Sequence, residues 1–115
     1  MSRHDPMLRV QHMLDHAREA VEIVRSRSRA DLDSDRLLNL ALVRLMEIVG
    51  EAATRIPEDY RSLHPHVPWQ DVADLRHRLI HGYDVVDLDI LWTIIREDLG
   101  PLIKQLEAIA GDLAK

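Results

Sequence analysis

Residues 74–84 read DLRHRLIHGYD, which sets Arg76, His77, His81 and Tyr83 inside eight positions. Those side chains carry definite chemistry. Imidazole, with an ordinary pKa of about 6.5, takes and gives protons near neutral pH. A guanidinium keeps its proton, and its planar fork binds phosphate oxygens or the charge that builds on them during transfer. RNA brings its own nucleophile, the 2′-hydroxyl, so a phosphate clamp and a proton carrier are enough to cut a strand without a metal. A positioned acid or base contributes about 10²–10⁴-fold to such a step.

The same residues admit other readings. His77 and His81 are four apart and share a helix face, as two zinc ligands do, with Asp74 and Asp84 as further donors. Against a metal, the chain has no cysteine, no glutamate stands between the two histidines, and His12 and His16 repeat the spacing with nothing around them. A purely structural reading pairs Arg76 with Asp84 or a nearby Glu, lets His81 cap the helix, and packs Tyr83. Geometry constrains the catalytic reading too. Five residues apart on a regular helix, Arg76 and His81 lie about 140° from each other around the axis, whereas Arg76 and Tyr83 share a face. Joint action of Arg76 and His81 requires the helix to loosen near Gly82, or a twofold dimer that gathers two Arg and two His around one cleft.

The elements that must position this cluster are helical. Asp5 and Pro6 suit an N-cap and first turn, and Met7, Val10, Met13, Leu14, Ala17, Val21 and Val24 follow three-and-four spacing. VRSRSRADLD ends that helix; its Arg25, Arg27 and Arg29 read as a solvated run, with phosphate binding as the sharper alternative. A second helix is expected from Asp33 or Ser34 to just before Pro57, with Leu37, Leu38, Ala41, Leu45, Ile48, Val49 and Ala52 inward. Gly50 within it marks a close helix approach. Glu47 and Glu51 share a face as surface or interface carboxylates, with a paired acid site as the lesser reading. Pro57, Pro65 and Pro68 bound a connector with at most a short helical turn. A third helix opens at Pro68-Trp69 and runs through Ile80. Asp87 or Asp89 caps a last helix through Ile109, kinked by Gly100-Pro101. No β-type alternation or repeat is evident. The expectation is an all-α bundle of four main helices plus a short one, forming one domain over residues 1–115.

Composition narrows the function classes. A chain of 115 residues, 46% hydrophobic and without phenylalanine, fills its core with Leu, Ile, Val and Ala. The absence of cysteine removes disulfides, thiolate metal sites and a thiol nucleophile. The opening MSRHDPMLRV has no apolar signal region and no stretch is long enough to span a membrane, so a cytoplasmic location is expected. A net charge of −5 argues against broad electrostatic binding to nucleic acid, although residues 1–30 hold six Arg against four acids.

RHRLIHGYD resembles the R-x-x-x-x-H-x-Y signature of the HepT-like proteins of the HEPN superfamily, with Arg76, His81 and Tyr83 at the signature positions. The likeness extends from LVRLMEIVGEAATRI to WTIIREDLGPLIKQL, with IVGEA, PW, HGYD and LW in the family's order. The resemblance implies an up-down HEPN-type bundle that forms a homodimer, and a metal-independent endoribonuclease toxin without a cofactor. It implies Arg76 as phosphate clamp and His81 as general acid/base. It further implies an MntA-like nucleotidyltransferase antitoxin that neutralises the toxin by placing AMP on Tyr83. The residue after the motif arginine is commonly Asn in this family and here is His77, a supporting site residue. The alternative is a non-catalytic helical binding partner of a nucleotidyltransferase.

Overall fold

The computed structural model describes residues 5–82 and 85–114, the side chains as far as Gly111. Helix α1 (Pro6–Val24) starts as its sequence dictates: the Asp5 carboxylate accepts the Met7 N–H at 2.9 Å, and Pro6 takes the first turn, where its missing N–H costs no bond. The second long helix begins later than the sequence suggests. Residues Asp31–Ser34 form a separate turn, α2, and Asp35 is extended, its carboxylate accepting the Leu38 N–H at 3.0 Å. That cap starts α3 (Arg36–Thr54).

Arg9 and His12, early in α1, share a groove with Ile48 and Arg55, late in α3, so the two helices run antiparallel. Helix α8 (Leu99–Ala114) packs on another side of α1, tied by Arg18 to Glu107 at 2.6 Å. Met13, Leu14, Leu42, Met46, Leu106 and Ile109 are at most 1% exposed in the shared core. Burying a side chain of that size contributes about 1.5–3 kcal/mol. Among the described residues no polar or charged side chain is buried.

On α3 the expected Leu38, Leu45, Val49 and Ala52 are buried, and the buried face extends beyond them. Leu42, Met46, Val49 and Ala53 point inward, while Leu37 is 79% exposed and Ala41 also faces out. The helix is apolar on most of its circumference, so spacing alone cannot choose a face. The expected close approach at Gly50 is present. A Cβ there would stand 3.1 Å from the Val72 carbonyl oxygen and 3.5 Å from the Leu75 Cβ.

Helix α4 (Glu58–Leu63) fills the proline-bounded connector. The expected third helix is instead two short pieces, α5 (Trp69–Ala73) and α6 (Leu75–Leu79), broken at Asp74. The chain then turns extended at Ile80 and forms a two-residue antiparallel pairing, β1 (Ile80–His81) with β2 (Val85–Val86). This small pairing is a feature the sequence reading lacked. Gly82, at φ +76°, supplies the left-handed residue that turns the chain back, and two β-branched valines favour the return. The Asp87 N–H closes the base of the hairpin on the Leu79 carbonyl at 2.8 Å.

Asp87 caps α7 (Leu88–Thr93), as expected, its carboxylate accepting the Ile90 N–H at 3.0 Å. Helix α8 runs through Gly100-Pro101, the site of the expected kink; the departure from α geometry lies earlier, as a π turn at Ile94–Asp98. There the Leu99 N–H reaches back five residues to Ile94. Pro101 consequently lies in the first turn of α8, where a missing donor leaves no helical bond unmade.

Candidate active site

The end of α6 decides how the cluster is arranged. Ile80, at φ −113° and ψ 119°, leaves the helix one residue before His81. The 140° separation of a regular helix therefore does not apply: Arg76 remains on α6, whereas His81 stands on β1. The loosening anticipated at Gly82 occurs two residues earlier, and the structural reading of His81 as a helix cap does not hold.

Arg76 is exposed, and its Nε lies 3.5 Å from Glu47 Oε2 on α3. This matches the part of the structural reading that gave Arg76 a nearby Glu. The contact reaches the guanidinium through its Nε, and the side chain is 61% exposed. His81 is 59% exposed, and its Nε2 stands 4.0 Å from Asp87 Oδ2. Asp87 thus serves twice, one oxygen capping α7 and the other facing the imidazole. The sequence reading named Asp87 only as a cap. The signal it passed over was the valine pair after Gly82, a short hairpin pattern that returns Asp87 alongside His81.

His77 is exposed on α6, and Arg78 lies 3.6 Å from Asp98 across to the π turn. Tyr83 and Asp84, the expected AMP acceptor and the expected partner of Arg76 or donor to a metal, lie outside the described residues. Among the described residues no three His, Asp or Glu side chains converge as a cation site. His12 and His16 meet edge to face at 6.4 Å, with His16 Nδ1 at 2.7 Å from the His12 carbonyl oxygen.

Other candidates resolve into ordinary ion pairs. Glu51 engages Arg55 at 3.0 Å while Glu47 faces Arg76, so these carboxylates serve different cations. Arg25 pairs with Glu22, Arg27 with Asp35, and Arg29 with both Asp33 and Asp89 at 3.0 and 2.7 Å. The hydrogen bond to Asp89 is the main cause that raises the Arg29 pKa. The solvated reading of that arginine run stands.

With this geometry in view, residues 13–109 match the family model described as Ribonuclease HepT-like. A relative from Thermococcus cleftensis, named "Probable ribonuclease HepT", is 36% identical over 100 residues, covering 84% of this chain and 91% of its own. A Methanocaldococcus jannaschii protein that carries an RNase designation is 31% identical over 109 residues, covering 95% of this chain and 100% of its own. Another with such a designation, from Caldanaerobacter subterraneus, is 36% identical over 100 residues, covering 87% of this chain and 89% of its own. No solved structure gives a significant match.

Proposed function

The chain belongs to the family of HepT-like ribonucleases, and we propose that it is a metal-independent endoribonuclease toxin acting at a cleft between two copies of itself. The observation that carries this reading is the departure from helix at Ile80. It sets His81 on a strand end, with the Asp87 carboxylate beside it, next to a helix that presents Arg76 to solvent. Exposed Leu37 and Leu40 on α3 give a second copy an apolar surface to cover.

In the proposed reaction, Arg76 holds the scissile phosphate and its Nη groups take up charge that grows on the phosphoryl oxygens. One His81 accepts the proton of the 2′-hydroxyl as its oxygen attacks phosphorus. The 5′-oxygen leaves, taking a proton from the His81 of the other copy, and the products are a 2′,3′-cyclic phosphate and a free 5′-hydroxyl. The Asp87 carboxylate stands beside the imidazole, its Oδ2 4.0 Å from Nε2. His77, exposed on α6, supports the phosphate contact.

Control falls to Tyr83 in this proposal. An MntA-like nucleotidyltransferase transfers AMP from ATP to its hydroxyl, releasing pyrophosphate, and the added phosphate repels RNA from the cleft. The toxin then acts in the cytoplasm, where its RNA is; no helix among the described residues is long and apolar enough to cross a membrane.

The Glu47–Arg76 contact favours one other reading, a non-catalytic partner of a nucleotidyltransferase, because it gives the arginine a structural role. Cleavage separates the two. Protein verified by mass to carry no AMP is incubated with total tRNA and mRNA in the presence of chelator. Cutting that persists with chelator and disappears in Arg76→Ala is the expected result. Intact RNA with unmodified, dimeric protein overturns the nuclease in favour of the binding partner.

A further inference from the structure

This acidic chain gathers positive charge in one groove. Arg9 and His12 from α1, with Arg44, Ile48, Glu51 and Arg55 from α3, line a groove of about 330 Å³ between the two helices. Three guanidiniums and one carboxylate line it, in a chain of net charge −5. Two larger grooves are rimmed mainly by acid, one by Asp71, Glu97 and Asp98 against Arg78, the other by Glu58 and Asp71 against Arg61. Glu51 is already engaged by Arg55. Arg44 is exposed, and no carboxylate pairs with it among the described residues.

The groove adjoins the candidate site through α3. Glu47, which faces Arg76, follows Arg44 by three residues, about 60° around the helix and about 4.5 Å along it. One ridge of α3 therefore separates the Arg76 fork from the basic groove. A strand held at Arg76 passes beside α3 on its way to the groove.

We propose that the groove between α1 and α3 is a phosphate-binding subsite for the RNA strand flanking the cut, with Arg44 as its principal contact. The inference rests on the reading of Arg76 as the clamp at the scissile phosphate. It answers how an acidic protein holds RNA: charge confined to a short track supplies the contacts, while the remaining surface repels nucleic acid.

Binding of a long single-stranded RNA and of a trinucleotide, measured against salt on His81→Ala protein so that no cutting intervenes, tests the subsite. Arg44→Glu is expected to weaken the long RNA by about fivefold or more at low salt. The slope of log affinity against log salt should fall by about 0.7 for each phosphate that the protein no longer neutralises. The trinucleotide, which offers the groove at most one phosphate beyond the one held at Arg76, should lose less. Lys104→Glu, the same charge change on exposed α8 surface outside the groove, should weaken the long RNA by less than half as much. Equal losses in Arg44→Glu and Lys104→Glu, equal losses on long and short RNA, or no loss at all would each overturn the subsite. If wild-type protein cuts RNA in any of these cases, only the subsite falls. A wild-type protein that neither binds nor cuts RNA removes the Arg76–His81 reading and the subsite with it.

Discussion

The α1–α3 pair and the segment from Arg76 to Asp87 are built in opposite ways. The first is two helices of 19 residues each, packed through Val10, Met13, Leu14, Leu42, Met46 and Val49, all at most 1% exposed. The second passes from a five-residue helix through a two-residue strand and a left-handed glycine within a few positions, with Arg76, His77, Arg78 and His81 facing solvent. Stability resides in the first, which buries apolar surface. The second is held in shape by a few directional contacts: Asp87 to Leu79, Asp87 to Ile90, and Glu47 to Arg76. Substitutions in the two regions should therefore separate activity from stability.

The largest effect belongs to the exposed segment. His81→Ala should lower RNA cleavage by about 10²–10⁴-fold, while its melting temperature stays close to that of the wild type, because the side chain is 59% exposed. A fall in both would erase the distinction. Met46→Ala should do the reverse, costing about 2–5 kcal/mol in denaturant unfolding, with cleavage per folded molecule retained.

Gly50→Ala sharpens the contrast, because Gly50 joins the two regions. The new methyl gains about 1 kcal/mol of helix propensity, yet it meets the Val72 carbonyl at 3.1 Å and must push α5 and α6 outward by a few tenths of an ångström. Net stability should change by less than about 1 kcal/mol, and cleavage should fall because α6 carries Arg76. Unchanged cleavage would show that the Arg76 position tolerates that shift.

The smallest effect concerns Tyr60. Its hydroxyl is buried with no hydrogen-bond partner among the described residues, and its pKa is raised above the ordinary value, first by burial and then by Asp5. The neutral form is thus favoured in the fold. The resulting stability is fully present below pH about 10, where the unfolded tyrosine ionises, and is lost as pH rises through the higher folded value. Tyr60→Phe should gain about 1 kcal/mol at neutral pH and flatten the alkaline decline in melting temperature.

The same division explains what was legible in the sequence. Two acidic caps, Asp5 before α1 and Asp87 before α7, are readable because the signal is local; the third, Asp35 before α3, is masked by Asp31, Asp33 and Ser34 just ahead of it, which offer the same chemistry. The close approach at Gly50 is readable from one missing side chain. The face of α3 is readable only in part: Leu38, Leu45, Val49 and Ala52 are buried as expected, but apolar groups stand in most directions, and packing against α1, α2, α5 and α6 decides that Leu42 and Met46 go in and Leu37 stays out. Within the site, the chemistry of Arg76 and His81 is evident from residue type. Their placement depends on the break at Ile80 and on contacts from Glu47 and Asp87, which are distant in sequence from Arg76 or separated from His81 by a turn.

Asp87 has one further consequence. A carboxylate anchored by one oxygen to the first turn of α7 cannot swing freely, so the other oxygen holds a fixed bearing on His81 only while that turn is wound. Helix ends fray at far lower cost than a core opens. Unwinding that first turn would therefore part Asp87 from His81 while the α1–α3 core stays packed, so the surroundings of the imidazole depend on a helix end and not on the core.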